Sequence, residues 1–303
     1  MSDASTRVTV VFCTRNRGAS CATALQSALA MQPAAAEILV IDQSDAESTD
    51  LASALRAAAA TNVRYVRDDA AGLSRARNLA LKESKTDVVA FTDDDCAVPV
   101  DFVARIEDAC REWPRAGMIF GNVRPGPHDS SAGLIPSTMR RTAIVATVLA
   151  DQLHLGAMGA CMVVRRDILS RLASFDTLLG AGAMLQSAED TDLILRCLGS
   201  GIDVVETPTI EVVHDGFRTW AEAEELADHY LFGTAAVYAK HVRLHPAATL
   251  SLLSHIGIRW AQGTSHVSYF GKRKRRGARL ASFVRGFTRG LRLPIDRTTG
   301  HFR

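Results

Sequence analysis

Three consecutive aspartates, Asp93, Asp94 and Asp95, follow an apolar run at residues 88–92 that is typical of a buried strand. Adjacent carboxylates raise one another's pKa and cost folding free energy unless a cation compensates them. Hard divalent cations such as Mg²⁺ and Mn²⁺ bind oxygen ligands and often bridge to substrate phosphates. The triplet therefore predicts a metal and phosphate site. The alternative is a solvated acidic turn in which Asp95 caps a helix that begins near Pro99.

A second acidic group, Glu189, Asp190 and Asp192, lies in the first turn of a helix predicted over residues 188–198. The helix dipole favours carboxylates at this end, so capping alone could explain them. Two glycines in the preceding loop would let the backbone approach a ligand closely. A carboxylate that such a helix start presents to a pocket can act as a general base toward a hydroxyl.

Two further side chains suit the same chemistry. His214 follows a strand-like run, and an imidazole at a strand end can bind Mn²⁺-like ions, although a lone histidine is also common at the surface or in a core. Arg77 lies in a predicted helix, where its guanidinium could pair with a diphosphate or simply belong to a solvated face. Alone, each of the two is a weak signal.

These residues fall on a pattern of alternating strands and helices. Such alternation predicts an α/β fold with a mostly parallel sheet flanked by helices. The predicted strands are residues 8–13, 37–42, 63–67 and 87–92, and the predicted helices are residues 20–31, 49–60, 72–84 and 99–113. Open sheets bind ligands outside the carboxyl ends of their strands. The polar residues at those ends are Thr14, Arg15, Asn16, Arg17, Asp42, Asp93, Asp94 and Asp95.

A second segment continues the pattern less regularly. It predicts a strand at residues 117–123, a loop at 124–137, a strand at 161–165, strands around Val204 and Val212, and an apolar helix at 247–260. The sequence after the first strand has no GxGxxG pattern, which disfavours a dinucleotide-binding dehydrogenase.

Composition indicates an ordinary folded protein. The chain has 303 residues, 47% of them hydrophobic, enough to bury a large core. Its six cysteines form no CxxC pair, which suits free thiols in a reducing compartment. We find neither a secretory signal nor an apolar run long enough to span a bilayer, and we expect a cytoplasmic protein.

The charge is unevenly distributed. Residues 271–303 hold 11 Lys/Arg and one acid, whereas the remaining residues hold 24 Lys/Arg and 32 acids. An arginine-rich amphipathic helix is predicted from Ala278 toward Leu293, and such helices lie on anionic membrane surfaces. The alternatives are a solvated arm or contact with nucleic acid, but no nucleic-acid-binding motif is present.

Taken in order, these motifs resemble the family 2 glycosyltransferases, nucleotide-sugar-dependent enzymes with the GT-A fold. The resemblance covers roughly residues 8–216. The matching segments are the first strand and nucleotide loop at 10–17, the acidic turn at 40–45, a GLSxARN-like segment at 72–78, the DXD-like triplet at 93–95, an acceptor-side strand at 156–166 and an ED box at 188–193.

The resemblance implies an inverting reaction in which Asp190, beside Glu189, deprotonates an acceptor hydroxyl while a nucleoside diphosphate leaves. It implies contacts to the nucleotide-sugar from Thr14, Arg15, Asn16, Arg17, Asp42, Arg77, Asp93 and Asp94. It also implies Mn²⁺ or Mg²⁺ bound by Asp93, Asp95 and His214. In this family Thr14 and Asp42 would face the base or ribose and Arg77 the diphosphate. Gln43 replaces an acid that is frequent in the family, so the nucleobase preference is left open. Three consecutive aspartates also leave open which of them correspond to the DXD motif.

We therefore expect a metal-dependent glycosyltransferase that uses a nucleoside-diphosphate sugar, most often a UDP-sugar in this family. Its acceptor would be a hydroxyl of a cell-envelope or polysaccharide glycan, including a lipid-linked one. The alternatives are a nucleotidyltransferase that makes a nucleotide-sugar, although residues 13–18 lack its glycine-rich phosphate loop, and a non-catalytic nucleotide-sugar-binding module.

The expected organisation is a GT-A domain over residues 1–245. Its nucleotide-sugar-binding half would be residues 1–123 and its acceptor-binding half residues 124–245. A helical, basic extension would follow over residues 246–303. Through this extension we expect peripheral binding to the cytoplasmic face of the inner membrane, and no nucleic-acid partner.

Overall fold

The structure is a computed structural model that describes residues 6–58, 62–169, 171–261 and 276–303. Its first half alternates strands and helices as the sequence predicts. The strands are β1 (Val8–Thr14), β2 (Glu37–Asp42), β3 (Val63–Arg67), β4 (Val88–Asp93) and β5 (Cys96–Ala97). The helices are α1 (Gly18–Leu29), α2 (Thr49–Ala57), α3 (Leu73–Glu83) and α4 (Phe102–Glu112).

The second half contributes further strands and most of the helical mass. The strands are β6 (Ala116–Pro125), β7 (Gly133–Leu134), β8 (Ile144–Ala146), β9 (Cys161–Arg165), β10 (Asp203–His214), β11 (Arg218–Thr219), β12 (Ile295–Asp296) and β13 (His301–Phe302). The helices are α5 (Arg166–Leu169), α6 (Glu189–Gly199), α7 (Trp220–Leu244), α8 (Pro246–Ala261) and α9 (Arg276–Arg292), with a short 3-10 helix at Leu149–His154.

The central sheet has the strand order β3-β2-β1-β4-β9-β6-β10-β5, with β8 beside β10. Strands β1 to β4 pair in parallel, and β9 is inserted antiparallel between β4 and β6. Cys13 of β1 pairs with Asp93 of β4, so the residues that follow the two strands meet at one edge. The predicted mixed α/β fold with a mostly parallel sheet is confirmed.

Alternation along β1 shows how the sheet is buried on both faces. Val10 and Phe12 belong to a core under α1 and α4, whereas Val11 belongs to the opposite core under α3, α6 and α7. Successive side chains of a strand point to opposite faces, so a strand covered on both sides reads as a continuous apolar run. This is why residues 8–13 of the sequence show no polar alternation.

Several predicted boundaries need correction. The two strands expected around Val204 and Val212 are one strand, β10, whose register shifts between Glu206 and Glu211 where it passes β6. The predicted loop at 124–137 contains the end of β6 and all of β7. Helix α2 ends at Ala57, and the last predicted residues, 59–60, lie outside the described ranges.

The helix-capping alternative for Asp95 is also wrong. Asp95 lies in the turn between β4 and β5, and α4 begins at Phe102 with Asp101 as its N-terminal flanking residue. The backbone carbonyl of Asp95 instead accepts a hydrogen bond from the Asp215 N–H at 2.9 Å. The triplet is thus held against the loop that follows β10.

Helix α9 packs along α7. A methyl group added at Gly286 would overlap the Phe232 carbonyl, and one added at Gly290 would overlap the Ala236 carbonyl, so glycine permits the close approach of the two backbones. The predicted boundary between a domain and an extension, at residue 245, falls between α7 and α8 and stays a prediction. The basic residues 272–275 lie outside the described ranges.

The outer edge of α9 remains apolar. Leu280, Val284 and Leu291 are about half exposed, and the helical repeat places them within roughly 40° of one another. The apolar stripe of α9 is therefore wider than its contact with α7. Among the described residues, no helix is both long and apolar enough to cross a membrane.

Candidate active site

A cavity of about 600 Å³ lies where the carboxyl ends of β1 and β4 face the first turns of α3 and α6. This volume is typical of sites for small ligands and cofactors. The cavity wall includes ten of the residues that the sequence predicts: Thr14, Arg15, Arg17, Arg77, Asp93, Asp94, Asp95, Glu189, Asp190 and His214. Residues from segments more than a hundred positions apart thus converge on one site.

Arg77 of α3 lies in the floor of the cavity and is only 2% exposed. Its Nη1 donates to Glu189 Oε1 at 2.7 Å, and its Nη2 lies 3.9 Å from Asp93 Oδ1. A buried guanidinium needs such partners because an unpaired charge in the interior is very costly. Arg77 therefore joins the aspartate triplet of β4 to the acidic start of α6.

The surroundings of Arg77 fix its position. Its guanidinium lies 5.8 Å from the ring centre of Phe91 and 5.6 Å from that of Phe175, distances typical of cation–π contact. Nη2 also donates to the Gly159 carbonyl at 3.3 Å. Any side chain at Gly159 would collide with the guanidinium, so the glycine leaves room for the charge.

Asp190 occupies the first turn of α6, two residues after Ala188, which has a φ of 70°. This left-handed residue turns the chain sharply into the helix. Asp190 Oδ1 accepts from the Thr191 N–H at 2.6 Å. Burial and the neighbouring Glu189 charge raise the pKa of Asp190 to about 6, although Arg77 opposes the shift. A carboxylate with a raised pKa in a cavity is a candidate proton acceptor.

Asp94 is paired with Arg17 and Thr14. Arg17 Nη1 lies 2.9 Å from Asp94 Oδ1, and Thr14 Oγ1 donates to Asp94 Oδ2 at 2.7 Å. Burial raises the pKa of Asp94 to about 6 against the opposing charge of Arg17. Arg17 Nη2 also donates to Asp95, so one half-buried arginine compensates two of the three aspartates.

Asp95 lies beside His214 and Cys96. The Oδ1 atom of Asp95 lies 3.3 Å from His214 Nε2, and donor atoms of these three residues fall within 4.8 Å of one another. The Pro136 carbonyl accepts from His214 Nδ1 at 2.8 Å, so in the neutral ring Nε2 keeps the lone pair that a cation needs.

Asp95 and His214 fit a divalent cation, whereas burial raises the pKa of the Cys96 thiol and keeps it protonated. Within the described residues, Asp95 Oδ1 is buried and accepts no hydrogen bond of good geometry, and its ion-pair contact is with His214 Nε2, an atom that could bind the same cation. A methyl group at Gly216 would lie 2.5 Å from both His214 Nε2 and Asp95 Oδ2, so the glycine leaves the group accessible. Asp93, the third predicted ligand, faces Arg77 instead, and its role as a ligand stays a prediction.

Three other predicted residues of the nucleotide site either lie outside the cavity wall or contact another side chain. Asn16 and Asp42 are not part of the cavity wall as the described residues form it. Asp42 accepts from the Tyr65 hydroxyl at 2.9 Å and from the Ser44 N–H at 2.8 Å. Arg15 lines the cavity while its Nη2 lies 3.4 Å from Asp45 Oδ1.

The cavity also contains residues that sequence reasoning missed. Arg218 contributes from β11 and Tyr230 from α7. Gln43, which the resemblance marks as the replacement for a frequent acid, also lines the cavity after the end of β2. Burial and the nearby carboxylates of Asp93 and the α6 start raise the pKa of Tyr230. The amphipathic spacing of α7 was the available signal, but it does not indicate which face meets a ligand.

Comparison with known proteins gives one family. A family model described as "Glycosyl transferase family 2" matches residues 9–173, more than half of the chain. The match includes Arg77 and the aspartate triplet and ends before α6. No curated protein sequence matches the chain.

Solved structures share the fold. TarS from S. aureus has a TM-score of 0.59 and 16% sequence identity over 82% of this chain and 42% of the TarS chain, so this chain spans less than half the length of that one. A shorter form, TarS 1–349, has a TM-score of 0.64 and 14% sequence identity, and the match covers 94% of this chain and 81% of that chain. The mannosyltransferase PcManGT from Pyrobaculum calidifontis was solved with GDP-Man and Mn²⁺. It has a TM-score of 0.61 and 18% sequence identity, and the match covers 96% of this chain and 88% of that chain.

Replacing Arg77 with Met tests whether the guanidinium holds the cavity floor together. The substitution keeps an apolar stem between the two rings but leaves the Glu189 carboxylate buried without its partner. We expect a loss of about 3–5 kcal/mol in the free energy of unfolding, measured by urea denaturation. The control is Arg75→Met on the same helix, where the side chain is exposed. Equal stability of the two variants would contradict this role of Arg77.

Proposed function

Because the chain belongs to glycosyl transferase family 2, and is a glycosyltransferase, we propose that it transfers a sugar from a nucleoside-diphosphate sugar to an acceptor hydroxyl with inversion at the anomeric carbon. The acceptor proposed is a glycan of the cell envelope or a polysaccharide, including a lipid-linked form. Family membership sets aside the nucleotidyltransferase considered above.

The position of Asp190 carries this proposal. Asp190 lines the cavity, has a pKa raised to about 6, and makes no ion pair within the described residues. Its neighbour Glu189 is held by Arg77 and so is not free to accept a proton. A group whose pKa lies close to neutrality is the most efficient general base at physiological pH.

In the proposed reaction, Asp190 removes the proton of the acceptor hydroxyl. The hydroxyl oxygen attacks the anomeric carbon from the side opposite the diphosphate, and a new carbon–oxygen bond replaces the bond to the leaving oxygen. The nucleoside diphosphate departs with the electron pair of the broken bond. A single displacement of this kind inverts the anomeric configuration, and the proton stays on Asp190 until solvent takes it.

The side chains at the carboxyl end of β1, two of them positive, would bind the donor. Arg15, Arg17 and Thr14 lie at the carboxyl end of β1, where open α/β sheets bind nucleotides. We propose that Asn16 and Asp42 complete this side through the base or ribose. Arg77 would act on the diphosphate through its charge, since its guanidinium lines the cavity without leaving Glu189.

Asp95 and His214 would hold a divalent cation, Mn²⁺ or Mg²⁺, with Asp93 or Asp94 as further oxygen donors. When bound, the cation would offset the negative charge that develops on the departing diphosphate. The mixed oxygen and imidazole donor set supports this proposal because Mn²⁺ accepts both. The GDP-Man and Mn²⁺ complex of PcManGT offers a precedent within the same fold.

We propose that α9 brings the protein to the cytoplasmic face of the inner membrane. Its exposed apolar edge, Leu280, Val284 and Leu291, lies beside arginines of the same helix. Apolar burial combined with attraction to anionic lipid is the usual basis of such binding. A lipid-linked acceptor would be reached most readily from this location.

Asp190→Asn tests the base. We expect kcat to fall by about 100-fold or more, because general-base catalysis is lost, while donor binding measured by calorimetry is retained. In the wild-type enzyme kcat should rise with pH through a region near 6, since only the ionised carboxylate accepts a proton. The variant should lose this dependence. Asp108→Asn, on the exposed face of α4, is the control; unchanged turnover in Asp190→Asn would exclude the residue as the base.

His214→Ala tests the metal site. With wild-type protein, a panel of UDP-, GDP- and dTDP-sugars should reveal a donor whose binding raises Tm, and Mn²⁺ should strengthen its affinity at least 10-fold in calorimetry. The variant should lose the Mn²⁺ effect and keep metal-free binding. His255→Ala, on α8, serves as the control. Donor binding that is indifferent to Mn²⁺ and Mg²⁺ would remove the metal from the proposal.

A triple substitution, Leu280→Ser, Val284→Ser and Leu291→Ser, tests the membrane surface without removing α9 from α7. Wild-type protein should sediment with vesicles that contain anionic lipid, less so at high salt, and not with neutral vesicles. The triple variant should sediment several-fold less. Leu250→Ser, at an exposed apolar site on α8, is the matched control. Equal sedimentation of all variants would contradict the proposed surface.

A further inference from the structure

A second group of charges lies behind the active-site helix. Asp176, Asp192, Arg196, Lys240 and His241, here called the buried ion cluster, are each at most 5% exposed. Asp192 stands two residues after Asp190 on α6, which places it about 200° around the helix axis. Asp190 faces the cavity, and Asp192 faces α7. The cluster has no part in the reaction proposed above.

Direct contacts hold the cluster together. Lys240 Nζ lies 2.8 Å from Asp176 Oδ2 and 2.7 Å from Asp192 Oδ1. Arg196 Nε donates to Asp192 Oδ2 at 3.0 Å, and His241 Nε2 lies 3.0 Å from Asp192 Oδ1. Burial lowers the pKa of His241, so the ring is neutral and the two acids balance the two bases. Three of these contacts meet at Asp192, and the two from Lys240 and His241 fix α6 against α7.

The hairpin of β12 and β13 closes the cluster from the outside. The Phe302 backbone N–H donates to Asp176 Oδ2 at 2.7 Å, and the Phe302 ring centre lies 4.7 Å from Lys240 Nζ. Phe302 is 5% exposed and therefore separates the lysine from solvent. A cation over an aromatic face is attracted more strongly where both groups are desolvated.

The Ser174 carbonyl links the hairpin to α6. The Ser174 carbonyl accepts from Arg196 Nη2 at 2.8 Å and is also 2.8 Å from His301 Nε2. Arg196 additionally donates to the Ala173 carbonyl. The hairpin therefore hydrogen-bonds to Ser174 and Asp176, meets α7 through the Phe302 ring over Lys240, and reaches Arg196 of α6 through the shared Ser174 carbonyl.

The cost of such a cluster indicates its purpose. Buried ion pairs contribute little net stability, because removing the charges from water offsets their attraction, and apolar replacements are often more stable. Buried charges are satisfied in only one arrangement of their elements, whereas apolar side chains tolerate sliding. A cluster of this kind directly behind Asp190 suits the control of geometry better than the gain of stability.

We propose that the β12–β13 hairpin positions the active-site helix. Phe302 covers the buried ion cluster, the cluster fixes the rotation and height of α6 against α7, and α6 holds Asp190 toward the acceptor. Phe302 is in this view a positioning residue and makes no contact with substrate. The inference rests on the proposed role of Asp190, but the arrangement of α6 can be measured without activity.

The test compares Phe302→Ala, Phe302→Leu and Arg297→Ala. Phe302→Ala removes the cover, Phe302→Leu keeps most of the volume and should fold readily, and Arg297 is an exposed residue of the same hairpin. Two quantities are measured on the full chain: hydrogen exchange of the α6 amides relative to those of β1 and β2, and steady-state transfer kinetics together with donor affinity.

We expect Phe302→Ala to exchange its α6 amides at least 10-fold faster while β1 and β2 are unchanged. Its kcat should fall about 10-fold or more, with KM and affinity for the donor within about twofold of wild type. Phe302→Leu should lie between Phe302→Ala and wild type, and Arg297→Ala should match wild type.

Three results would overturn the inference. The first is α6 exchange unchanged in both Phe302 variants. The second is a uniform rise in exchange over the whole chain, which would make Phe302 only a stabilising residue. The third is a lower Tm with kcat preserved at a temperature where the variants are folded. If the wild-type protein transfers no sugar at all, the proposed function fails, and the exchange data still decide the role of the hairpin.

Discussion

The active site depends on one buried guanidinium. Asp93, Glu189 and Asp190 come from two distant segments, and three carboxylates in one cavity would repel one another if only water separated them. Arg77 lies between these segments, paired with Glu189 and close to Asp93. The two phenylalanine rings and Gly159 leave the guanidinium a single position. Strand β4, α3 and α6 can approach only because this charge is present where they meet.

The distribution of positive charge also decides which carboxylate remains reactive. Arg17 compensates Asp94 and Asp95, and Arg77 compensates Glu189. Asp190 is left with burial and a like charge as its dominant influences, so its folded pKa is raised. A carboxyl with a raised folded pKa holds its proton more tightly in the folded state than in the unfolded state. The folded protein therefore becomes less stable as pH rises from the ordinary carboxyl pKa to about 6. Raised pKa values of this kind cluster at functional sites, and Asp190 combines one with a place on the cavity wall.

The sequence predicted the strands and the chemistry of the cavity because both follow local patterns. Apolar runs identified β1, β2 and β4, and polar residues at their ends identified the site. The sequence could not predict which charged side chains are buried by tertiary contacts. The sequence offered Arg77 as a diphosphate ligand or part of a solvated face, but not as the buried partner of Glu189. Asp192 reads as a capping acid, since nothing nearby in the sequence reveals the Lys240 that faces it. The spacing of Asp192 and Arg196 by four residues was the available signal, but it fits an exposed helical pair equally well.

The relation of α7 to the site explains how the basic C-terminal segment can matter to catalysis. Tyr230 of α7 lines the cavity, whereas Phe232 and Ala236 lie roughly 200° to 240° around the same helix and meet the glycines of α9. One helix therefore separates the cavity from α9, and packed helix axes lie about 8–10 Å apart. Because α9 packs closely on α7 at these glycines, a surface that bound α9 would also orient the cavity. Binding at α9 would thus determine the direction from which an acceptor enters.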